Sequence, residues 1–222
     1  MSRIKEYYHN AIEAEQRPKE RPILFSAYMV RAILEGRKTQ TRRVIKHVPA
    51  GTAHIWNDGA EWNVENAAKA LWVGALRCPY GQPGDRLWVR ETWQQFGDTF
   101  AYFATDTDVF PETKWRPSIH MPRAASRILL EITDIRAQRL HDITEADAIA
   151  EGLHSVIPNG GPNTVYHDYQ TGIWLSPKML NNPIASYRTL WEKINGSGSW
   201  EQNPWVWVIS FTPIAQPGAV PP

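Results

Sequence analysis

The chain has a single cysteine, Cys78. That excludes an internal disulfide framework and any zinc site built on several thiolates. No stretch approaches the run of about 18 apolar residues that a membrane-spanning helix requires. Charge of one sign is also missing: 24 basic side chains face 23 acidic ones, for a formal net charge of +1. A whole-molecule pull toward nucleic acid or an anionic membrane is thereby excluded, and polyanion binding would have to come from a local patch. The opening Met1-Ser2-Arg3-Ile4-Lys5-Glu6 lacks the apolar stretch of a secretory signal, so a soluble, cytoplasmic protein without a membrane partner is expected. Neither a G-x-x-x-x-G-K-[ST] nor a G-x-G-x-x-G phosphate loop occurs, which argues against nucleoside triphosphate hydrolysis and dinucleotide binding. The seven histidines form no HxH or HExxH pair, and Asp106-Thr107-Asp108 lacks the rest of a calcium loop. No metal and no cofactor is expected.

Apolar residues make up 42% of the 222 positions, enough for one large domain to bury a core. Eleven tryptophans are several times the average share of roughly one per hundred residues. Most are expected in the core; an indole face also suits stacking on a base.

Residues 2–17 read as a short helix, and residues 1–20 as an N-terminal helical arm and linker. Pro22-Ile23-Leu24-Phe25 is a strand candidate. Ser26 can cap a helix over about 27–35, closed by Gly36. Lys38 to Ile45 can be strand or extended loop. Ile55-Trp56 and Glu61-Trp62-Asn63-Val64 flank Asn57-Asp58-Gly59 as in a hairpin. The turns in Pro79–Asp85 lead into a strand over 86–93, and further strands are expected at 101–104, 127–135 and 205–211. Thr144 with Asp147 opens a helix that Gly152 closes. Asn182 caps another with Pro183 at its first position. Residues 154–180 are expected as a loop insertion and 214–222 as a loose tail around a domain spanning 21–213. Short strands and three helices in mixed order fit an α+β fold, a small mixed β-barrel, closed or nearly closed, with peripheral helices.

The densest basic segment is Arg37-Lys38-Thr39-Gln40-Thr41-Arg42-Arg43, extended by Lys46. It follows a helix through a glycine, where backbone can approach a ligand closely. A solvated charged surface is the plain alternative.

The pattern Gly36-x-Lys38-x-x-Thr41-x-Arg43 resembles the signature of the ASCH family, which has a PUA-like barrel. Arg21–Phe25 with Ala32–Arg43, the block Cys78–Glu91 and the closing Asn203–Val208 are similar to phage and prophage members. The likeness runs over about residues 21–212, with the arm and the 154–180 loop outside it. Relatives with the threonine form of the motif include amidohydrolases that remove acetyl from 4-N-acetylcytidine. The resemblance implies a catalytic set of Lys38, Thr41 and Glu91, the last placed by its strand position after the Pro-Gly-Asp turn.

Such chemistry needs a nucleophile, a base and donors for the oxyanion. Thr41 would attack, Lys38 would act as base if burial lowered its pKa, and Glu91 would relay the proton or orient the ammonium. An ion pair Lys38–Glu91 holding the helix-to-barrel junction is the structural alternative. Arg43 either anchors substrate or pairs with a core carboxylate. Trp93, Trp115, His120 and Arg123 are candidates for lining a base pocket. Three functions compete: metal-independent deacylation of 4-N-acylated cytosine nucleosides, binding of RNA or a modified nucleobase without catalysis, and, with least support, ribonuclease action.

Overall fold

A computed structural model of the protein describes residues 18–59, 61–157, 163–170 and 179–214. The expected arm helix over 2–17 lies outside these residues. The early strands are β1 (Glu20–Leu24), β2 (Gln40–Val44), β3 (Thr52–Asn57), β4 (Trp62–Asn66) and β5 (Leu71–Leu76). They are followed by β6 (Arg86–Arg90), β7 (Trp93–Phe96), β8 (Thr99–Tyr102) and β9 (Leu129–Arg139). The last are β10 (Ser155–Val156), β11 (Val165–His167), β12 (Met179–Leu180) and β13 (Trp205–Ile214). Among the described residues three α-helices accompany them: α1 (Ala27–Leu34), α2 (Glu145–Ala150) and α3 (Pro183–Asn195). The fold is therefore α+β and mostly strand.

The main sheet has the order β1-β6-β9-β13-β2, with β1 parallel to β6 and every other pair antiparallel. β13 is buried on both faces, which its unbroken apolar run requires. Trp205, Trp207, Ile209 and Phe211 enter one core with Ile23, Phe25 and Leu130. Val206 and Val208, on the opposite face, pack with Leu140, Tyr187, Leu190 and Trp191 in a second core. Trp93, Trp191, Trp200, Trp205 and Trp207 are all buried, so core packing absorbs much of the tryptophan.

Of the closed or nearly closed barrel expected, full closure is not formed among the described residues: β1 and β2 are the two edges of an open sheet. The edges nevertheless approach each other, because Arg43 Nη2 on β2 donates to the Leu24 carbonyl of β1 at 2.7 Å. A side chain, not a backbone ladder, spans the gap.

Local chemistry sets the helices. Asn182 Oδ1 accepts from Ala185 N at 3.0 Å and Pro183 starts α3. Thr144 and Asp147 form a reciprocal capping box on α2. Gly36 leaves α1 at φ 73° and Gly152 follows α2 at φ 86°, both left-handed positions that favour glycine.

Several boundaries shift. The linker already belongs to the sheet at Glu20, and Lys19 N donates to Asp85 Oδ1 at 2.8 Å. The 154–180 segment contains the small sheet β10-β11-β12 rather than loop alone, with 158–162 and 171–178 outside the described residues. Ile214 still belongs to β13; the rest of the expected tail is outside them as well.

Candidate functional site

After Gly36, the amides of Arg37 and Lys38 both donate to the Ala32 carbonyl at 2.9 Å. Lys38 then forms an isolated antiparallel bridge with Glu151, and Thr39 N donates to Ala150 O at 2.9 Å. On the other side Phe211 N donates to Thr39 O at 2.9 Å. The basic segment is thus clamped between the end of α2 and β13.

Lys38 is 0% exposed. Its ammonium donates to Gln40 O at 2.7 Å, Glu151 O at 2.9 Å and Glu151 Oε2 at 2.8 Å. Three acceptors match its three donors. Arg42, also buried, reaches Glu151 Oε1 at 3.2 Å, Asp147 Oδ2 at 3.1 Å and Gln40 Oε1 at 2.8 Å. Arg136 closes the network on Asp147 at 2.6 Å. The Arg42 guanidinium also lies over the Tyr187 ring, 5.9 Å from its centroid.

Burial pushes the Lys38 pKa down, and Arg43 and Arg42 push the same way, against the pull of Glu151. Burial would raise the pKa of Asp147, but Arg42, the Thr144 cap and Arg136 together hold it below the usual value. Burial pushes the Tyr187 hydroxyl well up, with the neighbouring Glu151 adding to it.

Thr41 and Arg43 sit two residues apart on β2 and so share a face. Thr41 is 1% exposed. With Glu151, Tyr187 and Tyr80 these residues line a recess of about 180 Å³, smaller than the roughly 300–1,000 Å³ of drug-sized ligand sites. Arg43 Nη2 is held by Leu24, its guanidinium lies over Phe25 at 5.3 Å, and its Nε is buried without a hydrogen-bond partner among the described residues.

Glu91 lies elsewhere. Its carboxylate, 1% exposed, is gripped by Arg127, Nε to Oε1 at 2.9 Å and Nη2 to Oε2 at 3.0 Å. Arg127 stacks over Tyr102 at 4.0 Å. Burial raises the Glu91 pKa against the opposing pull of Arg127. The ion pair between Lys38 and Glu91, the structural alternative, is not formed; Glu151 takes the lysine and Arg127 takes the glutamate. Phe25 is near both segments. Its ring lies 5.6 Å from Lys38 Nζ, and its amide donates to Arg90 O at 3.1 Å, next to Glu91.

Trp93 belongs to the Glu91 side, buried against Phe100 with Arg116 over its ring at 5.3 Å. Trp115 is half-buried edge-on to Phe103, and His120 is exposed at the end of a 3-10 turn, Ser118–His120. Arg123 pairs with Glu20 at 2.8 Å. None of these four lines the Thr41 recess.

Sequence reasoning missed Glu151 and Asp147. The signal was present: the capping box at Thr144 and the stop at Gly152 define α2, and Asp147 and Glu151 are four residues apart, on one helix face. Among the described residues no group of His, Cys, Asp and Glu is placed to hold a metal ion, and no helix is long and apolar enough to cross a membrane.

No protein-family model, curated protein or solved structure matches the chain.

Proposed function

We propose that the protein is an ASCH-type, PUA-like domain that hydrolyses the acyl amide of 4-N-acylated cytosine nucleosides without a metal. The acylated base occupies the Thr41 recess. Thr41 Oγ1 attacks the acyl carbon, and its proton passes to the Lys38–Glu151 pair. The C–N bond breaks, the pair returns the proton to the departing cytosine amine, and water then releases the acyl group from threonine as the carboxylate. Arg43 Nε donates to the oxygen on which negative charge develops.

One observation carries this reading: Glu151, which holds the buried Lys38, lines the same recess as Thr41 and Arg43, whose Nε has no hydrogen-bond partner among the described residues. In this assignment Glu151 takes the part that the resemblance gave to Glu91. The lowered Lys38 pKa favours a lysine able to accept a proton.

The test is turnover of 4-N-acetylcytidine followed by ultraviolet absorption, with two variants. Thr41→Ala should lose at least about 100-fold in rate while keeping its circular dichroism. Thr41→Ser should retain a measurable rate. Equal rates in wild type and Thr41→Ala would remove the nucleophile.

A second reading has its own support. All three donors of Lys38 are taken, as in a structural ammonium. It holds that the recess binds a modified nucleobase or an RNA base without chemistry. Saturable binding of 4-N-acetylcytidine with no release of acetate would select it.

A further inference from the structure

Beyond β2 the chain turns at His47, whose φ of 59° is in the left-handed region, uncommon for a residue other than glycine. This turn lays Lys46 and His47 along a second depression of about 650 Å³, which Arg77 and Tyr80, in the segment between β5 and β6, also line. The depression shares Val44, Lys46 and Tyr80 with the Thr41 recess, so the two adjoin.

Its charge sets it apart. Arg21, Lys46, His47 and Arg77 all line it, and no carboxylate does among the described residues. Arg21 is matched by Asp85 at 2.7 Å. Lys46 and Arg77 are exposed and make no ion pair or hydrogen bond among the described residues. Elsewhere the cations discussed are matched: Lys38 and Arg42 by Glu151, Arg123 by Glu20, Arg127 by Glu91, and Arg136 by Asp147. In a molecule with a net charge of +1, two cations unmatched among the described residues, beside the Thr41 recess, favour a local anion site. An ammonium and a guanidinium lining one depression suit a phosphate, which accepts charge-assisted hydrogen bonds from both.

We propose that the Lys46–His47–Arg77 depression is a phosphate subsite, and that the adjoining recess takes the base of a phosphorylated nucleoside in preference to a free one. The inference rests on the reading that a cytosine-type base occupies the Thr41 recess. The phosphate is either a terminal monoester or the diester of a single strand.

The experiment compares binding of cytidine, cytidine 5′-monophosphate and a cytosine-containing single-stranded tetranucleotide to the full chain by calorimetry. Parallel measurements use the double variant Lys46→Ala/Arg77→Ala. Both side chains are exposed, so the variant keeps the fold. The monophosphate should bind about tenfold or more tightly than cytidine, and the variant should bring that ratio within about twofold. Tetranucleotide binding tighter than the monophosphate, with steeper salt dependence, assigns the diester; equal or weaker binding assigns the monoester. The proposal is overturned if cytidine and its monophosphate bind equally, if the advantage survives in the variant, or if neither phosphorylated ligand binds. The deacylase reading fails separately. In that case 4-N-acetylcytidine 5′-monophosphate binds with the phosphate advantage and is recovered intact.

Discussion

Gly152 faces Lys38 so closely that a methyl group built on the glycine would lie 2.7 Å from the lysine Cβ and 2.9 Å from Ala32 Cβ. The backbone that follows Glu151 can pass the lysine only because no side chain stands there. Gly152 also has φ 86°, so both space and conformation require glycine. Gly152→Ala should cost roughly 2–4 kcal/mol of stability, from backbone strain plus overpacking. Gly36→Ala, with φ 73° but open space around it, should cost only about 1–2 kcal/mol. Urea denaturation of the two variants checks the order; equal losses would mean that the contact with Lys38 is soft.

Removing the acid from the buried network should cost more than removing the base. Glu151 serves two buried cations, Lys38 and Arg42, so it keeps Arg42 as a partner when Lys38 is lost. Lys38→Met should cost about 3–5 kcal/mol, as for breaking a buried ion pair, and Glu151→Leu should cost more because it orphans the Lys38 ammonium and leaves Arg42 with Asp147 as its remaining carboxylate. The double variant should be more stable than the sum of the single losses implies, read from a double-mutant cycle. An additive cycle would contradict the coupling.

The pH dependence of stability has a definite sign at Lys38. Burial lowers its pKa in the folded state, while the unfolded chain keeps the ordinary lysine value. Between the two, the unfolded chain binds more protons, so stability rises with pH through that window. The stability of the wild type relative to Lys38→Met should therefore increase as pH rises from the lowered folded-state pKa toward the ordinary lysine value. The same proton should give the rate of deacylation an ascending limb with an apparent pKa below that of a free lysine. A difference that shrinks as pH rises would contradict the lowered pKa.

Two carboxylates compete for the role of proton carrier, and their substitution separates them. Glu151→Gln should lose at least about 100-fold in turnover, in the range of general acid–base contributions. Glu91→Gln, where Arg127 rather than Lys38 is the partner, should remain within about fivefold of wild type, because it touches no reacting atom in this account. The reverse order would return the catalytic set to Lys38, Thr41 and Glu91.

Much of the fold is legible because local chemistry decides it. Ser26 and Gly36 bracket α1, the Thr144–Asp147 box opens α2, and Asn182-Pro183 opens α3. Asn57-Asp58-Gly59 marks the turn between β3 and β4. What failed is long-range. The partner of Lys38 is 113 positions away, supplied by the last turn of a helix whose sequence announces only its caps. The apolar run of β13 signals burial but does not say that β1 and β2 remain open edges on either side. Arg127 reads as the first residue of a strand; the structure instead places it just before β9, gripping Glu91. Trp93, Trp115, His120 and Arg123 are residue types suited to a base pocket, but none of them lines the Thr41 recess.

The most direct test of the account is to incubate the wild-type chain, freed of metal by a chelator, with 4-N-acetylcytidine and to quantify both products. The account predicts cytidine and acetate in equal amounts, over many turnovers. Recovery of intact 4-N-acetylcytidine from folded, ligand-bound protein would contradict it.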